Sequence, residues 1–288
     1  MRRVLILGAV LLLAALAVSL VEDPAPATSS PTGSPLAPET TQQPTEVNAI
    51  SDRCKANGPE QMRELIEQLA ELCEPAAATV DQAWGTSWAQ GSRQRTQLTI
   101  AGGVDELAEL LKRTDTKGLV ETAAVTVGPK NAPADAVFVN GPAFVELSDL
   151  GREVVLTHEL VHVAARATGD SAAPTWLEEG FADYVAYRYT DLLPRQVAEE
   201  ALAAPLPEAL PATDDFDAAG AEVAVAYGRS WAAVMLLAER LGSDAAVKSF
   251  YERTVDAGIG DALRSAGFEN ENDFVQAWRQ EIEELAAA

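Results

Sequence analysis

Residues 157–163, THELVHV, contain the only two histidines of the 288-residue chain, His158 and His162, with Glu159 directly after the first. Residues four apart lie on the same face of a helix, so both imidazoles can bind one metal ion. Glu159 lies beside that ion without filling a coordination position, and its carboxylate can accept a proton from water. This arrangement is typical of zinc hydrolases, in which zinc (Zn2+) lowers the pKa of its water to about 7. The alternative is a helix with two unrelated histidines at its surface or at the edge of the core.

A catalytic zinc site needs a third protein ligand. Because the chain has no other histidine, we expect this ligand to be a carboxylate. Residues 174–187, PTWLEEGFADYVAY, offer Glu178, Glu179 and Asp183 on a predicted second helix, which Thr175 would cap. Acidic side chains among so many aromatic and aliphatic ones need a cation or a strong partner. The residues by themselves leave open which of the three acids is the ligand.

Composition and charge restrict the class of protein. The chain is 48% hydrophobic and 23% charged, which is ordinary for a globular protein of one large or two small domains. Its formal net charge is −23. Nucleic-acid binding needs clustered Lys and Arg to neutralise phosphates, so nucleic acid is excluded as a partner.

The N-terminus carries an export signal. Arg2 and Arg3 precede an apolar run over residues 4–21, in which Ser19 is the one polar residue. The charged start and the small residues near its end fit a cleaved signal peptide, whereas its length also fits a membrane anchor of about 20 residues. In both cases we expect an extracytoplasmic protein, either secreted or anchored to the outer face of the cell membrane.

The segment 22–50 is rich in Pro, Ser and Thr and has few large apolar residues, so it predicts a disordered tether. Two cysteines follow, Cys54 and Cys73. In an oxidising compartment we expect them to form one disulfide, which would stabilise the fold by roughly 3 kcal/mol.

Hydrophobic periodicity predicts an α+β lobe over residues 51–145 and a helical, zinc-bearing lobe over 146–288. The first lobe has a helix between 57 and 74 that Pro75 ends, and a helix over 106–113. Its three short strands are expected near 95–101, 123–128 and 136–141. In the second lobe, helices are predicted over 151–168, 175–190, 221–241, 243–256 and 271–287, with a loop around 203–219 at the rim of a cleft.

HELVH followed by WLEEGFADY resembles the gluzincin clan of zinc peptidases, and most closely the secreted "peptidase MA-like" domains. In that pattern a Trp-Leu-x-Glu-Gly-x-Ala block follows HExxH, and the Glu before Gly completes the zinc site. The resemblance implies that Glu179 is the third ligand and that Glu178 is a solvated acid. It also implies that Asp183 orients a ligating imidazole through its ring N–H. The alternative for Asp183 is an exposed helix aspartate.

The likeness continues in VAYGRSWAAVMLLAERLG, residues 225–242 with a helical pattern. In the aminopeptidase branch a Tyr at the start of this helix stabilises the oxyanion, and the matching residue is Tyr227. The alternative for Tyr227 is a packing role. Arg229 nearby would bind a substrate carboxylate or pair with surface acids.

One segment departs from the aminopeptidase branch. FVNGPAFVELSDL, ahead of the histidine motif, lacks the Gly-x-Met-Glu-Asn block that holds the free amine of a substrate. Aminopeptidase activity is therefore not supported. Asn140 and Gly141 are still expected to line a sheet edge that an extended peptide joins as a strand.

Together these observations predict an α+β protein of thermolysin-like zincin architecture, with a small N-terminal sheet lobe and a mainly α-helical C-terminal lobe. We expect an exported zinc metallopeptidase that hydrolyses peptide or protein substrates, with Glu159 as general base. The alternative is a cell-surface binding or scaffold protein whose zinc site is structural or vestigial. Glu159 favours the enzyme, since a structural site needs no general base.

Overall fold

The computed structural model describes residues 46–89, 95–128, 134, 136–167, 173–218 and 220–287. The predicted signal or anchor at 4–21 and most of the predicted tether lie outside these residues. No helix within the described part of the chain is long and apolar enough to span a membrane.

The first part of the described chain, up to residue 140, contributes all the strands of a five-stranded mixed sheet. Its strands are β1 (Glu46–Ile50), β2 (Cys54–Pro59), β3 (Thr96–Ala101), β4 (Ala124–Val127) and β5 (Ala136–Asn140). Their order is β1-β2-β3-β5-β4. The three inner strands are parallel, and both edge strands run antiparallel to their neighbours.

Strand β1 lies within the last five residues of the predicted tether. It pairs with β2 from Glu46↔Pro59 to Ile50↔Lys55. Val47 is buried in the main core, which gives this polar stretch one apolar anchor. The prediction of a tether up to residue 50 is therefore wrong at its end.

Eleven α-helices occur among the described residues. They are α1 (Arg63–Trp84), α2 (Val104–Leu110), α3 (Gly141–Val145), α4 (Asp149–Ala167), α5 (Thr175–Tyr187), α6 (Pro194–Val197), α7 (Glu199–Ala203), α8 (Ala221–Leu241), α9 (Asp244–Ala257), α10 (Ile259–Ser265) and α11 (Glu271–Ala287). Seven of them overlap the helices predicted from periodicity, whereas α3, α6, α7 and α10 were not predicted. All described residues after β5 are helical, turn or loop. The predicted α+β class, with a small sheet and a mainly helical remainder, is confirmed.

Helix α1 does not end at Pro75, contrary to the prediction. It continues for nine residues to Trp84, with Pro75 inside it. Proline removes one backbone hydrogen bond, which destabilises a helix interior. The second half of α1 nevertheless buries Ala76, Ala77 and Val80 in the main core. Burial of this face compensates for the missing bond.

A disulfide joins Cys54 of β2 to Cys73 of α1, as predicted, with a Cα–Cα distance of 6.1 Å. It connects the sheet to the helix that covers one of its faces. A disulfide of this kind is consistent with an extracellular location.

The two faces of the sheet bury different clusters. The main core lies on the face covered by α1 and α4 and includes side chains from both predicted lobes. A smaller cluster on the other face contains Val125 and Val127 of β4 with Leu107 and Leu111. Since side chains alternate along a strand, Thr126 of β4 points away from this cluster, toward α4.

Candidate metal centre

Helix α4 carries the histidine motif through the interior. Ser148 precedes this helix, and its side-chain oxygen accepts a hydrogen bond from the backbone N–H of Gly151, which stabilises the helix start. Residues 154–161 are buried on every side because α4 contacts α1, α5 and β4. His158 and Glu159 are fully buried, and His162 is partly exposed.

Three side-chain atoms converge between α4 and α5. Nε2 of His158 lies 3.0 Å from Nε2 of His162. Oε2 of Glu179 lies 3.2 Å and 3.5 Å from these two nitrogens. Donors placed about 2.1 Å from one tetrahedral ion lie roughly 3.4 Å apart, so these three atoms have the spacing of ligands to a shared metal ion. The group could hold such an ion.

The environment of the buried Glu179 carboxylate indicates whether these three residues suit a bound cation. Its Oε2 is close to both imidazole nitrogens, yet it makes no hydrogen bond of good geometry with either. Burial raises the pKa of Glu179, but His162 and His158 together lower it to about 2. A buried charged oxygen without a directed hydrogen bond needs a cation, and both imidazole nitrogens face the same point.

Asp183, one turn after Glu179 on α5, contacts the first histidine. Its Oδ1 lies 2.8 Å from Nδ1 of His158. If Nδ1 carries the ring proton, it donates a hydrogen bond to Asp183. The lone pair of Nε2 then faces His162 and Glu179. Asp183 is only 3% exposed, so the alternative of an exposed helix aspartate is wrong. Burial raises the pKa of Asp183 although His158 opposes this effect.

A close helix crossing fixes the position of Glu179. A Cβ added to the next residue, Gly180, would lie 2.4 Å from the backbone oxygen of Ser230 in α8. Only glycine allows α5 and α8 to approach so closely. Glu179 therefore lies on a rigid part of α5.

Two predictions about α5 are wrong in detail. Thr175 is the first helical residue, and its Oγ1 forms a hydrogen bond with Oγ1 of Thr213 rather than capping the helix. Glu178 is half-buried, with Oε1 out of contact with solvent, rather than a solvated acid. The Thr175 contact joins distant parts of the chain, which local sequence patterns do not reveal.

The Glu159 carboxylate has one bonded and one free oxygen. Its Oε2 accepts a 2.6 Å hydrogen bond from Oγ1 of Thr126 in β4. Its Oε1 has no hydrogen-bond partner among the described residues. Sequence reasoning missed Thr126, although a single polar residue in the apolar strand AVTV was a signal.

Helix α8 brings Tyr227 beside the cluster. Its ring centroid lies 6.2 Å from that of His158 and 5.2 Å from that of Phe216, which belongs to the predicted rim segment 203–219. Arg229, two residues later, donates a 2.6 Å hydrogen bond from Nη2 to the carbonyl of Pro205. The Tyr227 ring thus lies next to His158, whereas Arg229 holds the rim segment.

Strand β4, and not β5, is the sheet edge next to the site. Strand β5 lies between β3 and β4, and its Asn140 is buried and donates to the carbonyl of Leu119. The prediction that Asn140 and Gly141 line an edge is therefore wrong, because strand order depends on long-range pairing. The true edge strand, Ala124–Val127, also lacks an acidic residue, so aminopeptidase activity remains unsupported.

Neither a scan of protein-family models nor a search of curated proteins finds a match to this chain. A functional assignment therefore depends on its residues and their geometry.

Proposed function

We propose that the protein is an exported zinc metallopeptidase of gluzincin type with a thermolysin-like architecture. His158, His162 and Glu179 would bind zinc, and Glu159 would act as general base. This proposal depends on one observation. The cluster of three possible metal ligands lies on the same helix pair as the buried Glu159 carboxylate, whose Oε1 has no hydrogen-bond partner among the described residues. Two imidazole nitrogens and one carboxylate oxygen form one of the ligand sets of catalytic zinc.

A zinc ion bound by these residues would act as a Lewis acid that lowers the pKa of water to about 7 and polarises a peptide carbonyl. Asp183 would keep Nδ1 of His158 protonated and its Nε2 free to bind. Oε1 of Glu159 would accept a proton as the water oxygen bonds to the carbonyl carbon. The same proton then passes to the amine nitrogen as the C–N bond breaks.

Tyr227 is the proposed donor to the oxyanion that forms on the carbonyl oxygen. Its ring is buried beside His158, so a phenol O–H on this side of the cluster would act in a largely dehydrated environment. Peptides or proteins are the proposed substrate class, and export would place them outside the cytoplasm.

A binding or scaffold protein with a structural zinc site is the competing class. Structural zinc sites close the coordination with four protein ligands, whereas the cluster found among the described residues has three. A third-ligand glutamate and a neighbouring buried acid favour an open catalytic site.

The purified protein tests the proposal through its metal content and its activity. We expect about one zinc per chain and cleavage of a broad peptide library, both lost with a chelator and restored by zinc. A zinc-loaded protein that cleaves no peptide in the library would favour the binding class instead.

A further inference from the structure

Strand β4 places one polar side chain in an otherwise apolar, fully buried edge strand. All four residues of AVTV are buried, and Val125 and Val127 pack into the smaller cluster. Thr126 points to the opposite face, toward α4. A buried hydroxyl needs a hydrogen-bond partner, so the identity of that partner shows what Thr126 does.

Both partners of this hydroxyl belong to Glu159. Oγ1 of Thr126 lies 2.6 Å from Oε2 and 3.1 Å from the backbone oxygen of Glu159. A hydroxyl has a single proton, and the shorter distance and the negative charge both favour donation to the carboxylate. Among the described residues, this is the one hydrogen bond that the Glu159 carboxylate receives.

We infer that Thr126 is a positioning residue for the general base, an inference that rests on the proposed function. By holding Oε2, the hydroxyl fixes the rotation of the carboxylate and leaves Oε1 as the oxygen that accepts the proton from water. The edge strand thereby sets the orientation of an acid that is carried by α4.

A purely structural role would predict a different behaviour. The hydroxyl would then only satisfy a buried polar group and join the sheet to the helix, and its loss would reduce stability without changing the rate of the chemical step. Thr122 provides the matched control. It is equally buried, lies just before the same strand, and donates from Oγ1 to the backbone oxygen of Gly118.

The experiment compares Thr126→Val, Thr126→Ser and Thr122→Val with the wild type, each loaded with zinc, in hydrolysis of one peptide that the wild type cleaves. We expect Thr126→Val to lower kcat about ten- to hundredfold, the range for a lost hydrogen bond to a charged group, with KM and zinc content unchanged. Thr126→Ser retains the hydroxyl and should restore kcat to near the wild-type value. Thr122→Val should keep the wild-type kcat.

Crystal structures of the metal-free wild type and Thr126→Val give a readout that does not depend on activity. The inference requires the Glu159 carboxylate to turn away from its wild-type orientation in the variant. If Thr126→Val does not fold, Thr126→Ala removes the same hydroxyl with a smaller side chain and replaces it in both measurements.

The outcomes separate this inference from the proposed function. If the wild type is active and Thr126→Val is equally active, the positioning role of Thr126 is overturned and the proposed function stands. The same holds if the wild type is active and the Glu159 carboxylate keeps its orientation in the crystal structure of Thr126→Val. A zinc-loaded wild type that cleaves no peptide overturns the proposed function, and the positioning role with it.

Discussion

His158 and Asp183 are linked by a 2.8 Å contact between Nδ1 and Oδ1, and both side chains are buried. The contact crosses from α4 to α5, the two helices that carry the candidate metal ligands His158, His162 and Glu179. It fixes the orientation of the first imidazole before any ion binds. Such partners of metal ligands raise affinity by reducing the reorganisation that binding requires.

Removing this partner should weaken metal binding. We expect Asp183→Ala to lower zinc affinity about ten- to hundredfold, because the His158 ring loses its fixed orientation. Competition with a chromophoric chelator measures the change. Asp256→Ala, at an exposed position of α9, is the control and should bind as the wild type does. An Asp183→Ala protein with wild-type affinity would show that Asp183 does not support the site.

The crossing of α5 and α8 at Gly180 should not accept a larger residue. We expect Gly180→Ala to lower the free energy of unfolding by about 1–3 kcal/mol, since the new methyl group would overlap the backbone of Ser230. Zinc affinity should fall as well, because Glu179 is the adjacent residue. Urea unfolding and metal titration measure the two effects.

Gly260 of α10 is the matched helical control for this substitution. A Cβ there would meet only Nη1 of Arg264, at 3.5 Å, which is an ordinary contact. Gly260→Ala should therefore stabilise the protein by up to about 1 kcal/mol through helix propensity. Equal unfolding free energies for Gly180→Ala and the wild type would refute the close crossing.

Loss of the Tyr227 hydroxyl should affect the reaction more than binding. We expect Tyr227→Phe to lower kcat about a hundredfold, with KM and zinc content near wild type, because the proposed oxyanion loses a donor. Tyr184→Phe is the control, since the Tyr184 hydroxyl donates to Asp244 and has a structural role. If both variants retain the wild-type kcat, Tyr227 is a packing residue.

Local patterns predicted much of this fold because they depend on neighbours in the chain. The spacing of apolar residues located α4, α5, α8, α9 and α11, and the two cysteines formed the expected disulfide. The positions of His158 and His162 on one helical face followed from the helix repeat. The choice of Glu179 as the third ligand came from the resemblance to a known family. The structure places its carboxylate beside both histidines.

Long-range features escaped prediction for a physical reason. Which strand forms the sheet edge depends on pairing between distant segments. Local patterns therefore do not reveal that β4, and not β5, is the edge strand. Pro75 stays helical because core packing of α1 outweighs one lost backbone bond. Thr126 becomes significant only once β4 is known to lie against α4.

The most direct measurement compares Glu159→Gln with the wild type in metal content and peptide hydrolysis. We expect the variant to keep about one zinc per chain, because Glu159 is not a proposed ligand, and to lose about a thousandfold or more in kcat, because the amide cannot accept the proton. Glu153→Gln, an exposed position on the same helix, should match the wild type in both. A zinc-loaded Glu159→Gln protein that cleaves peptides at the wild-type rate would contradict the assignment of Glu159 as general base.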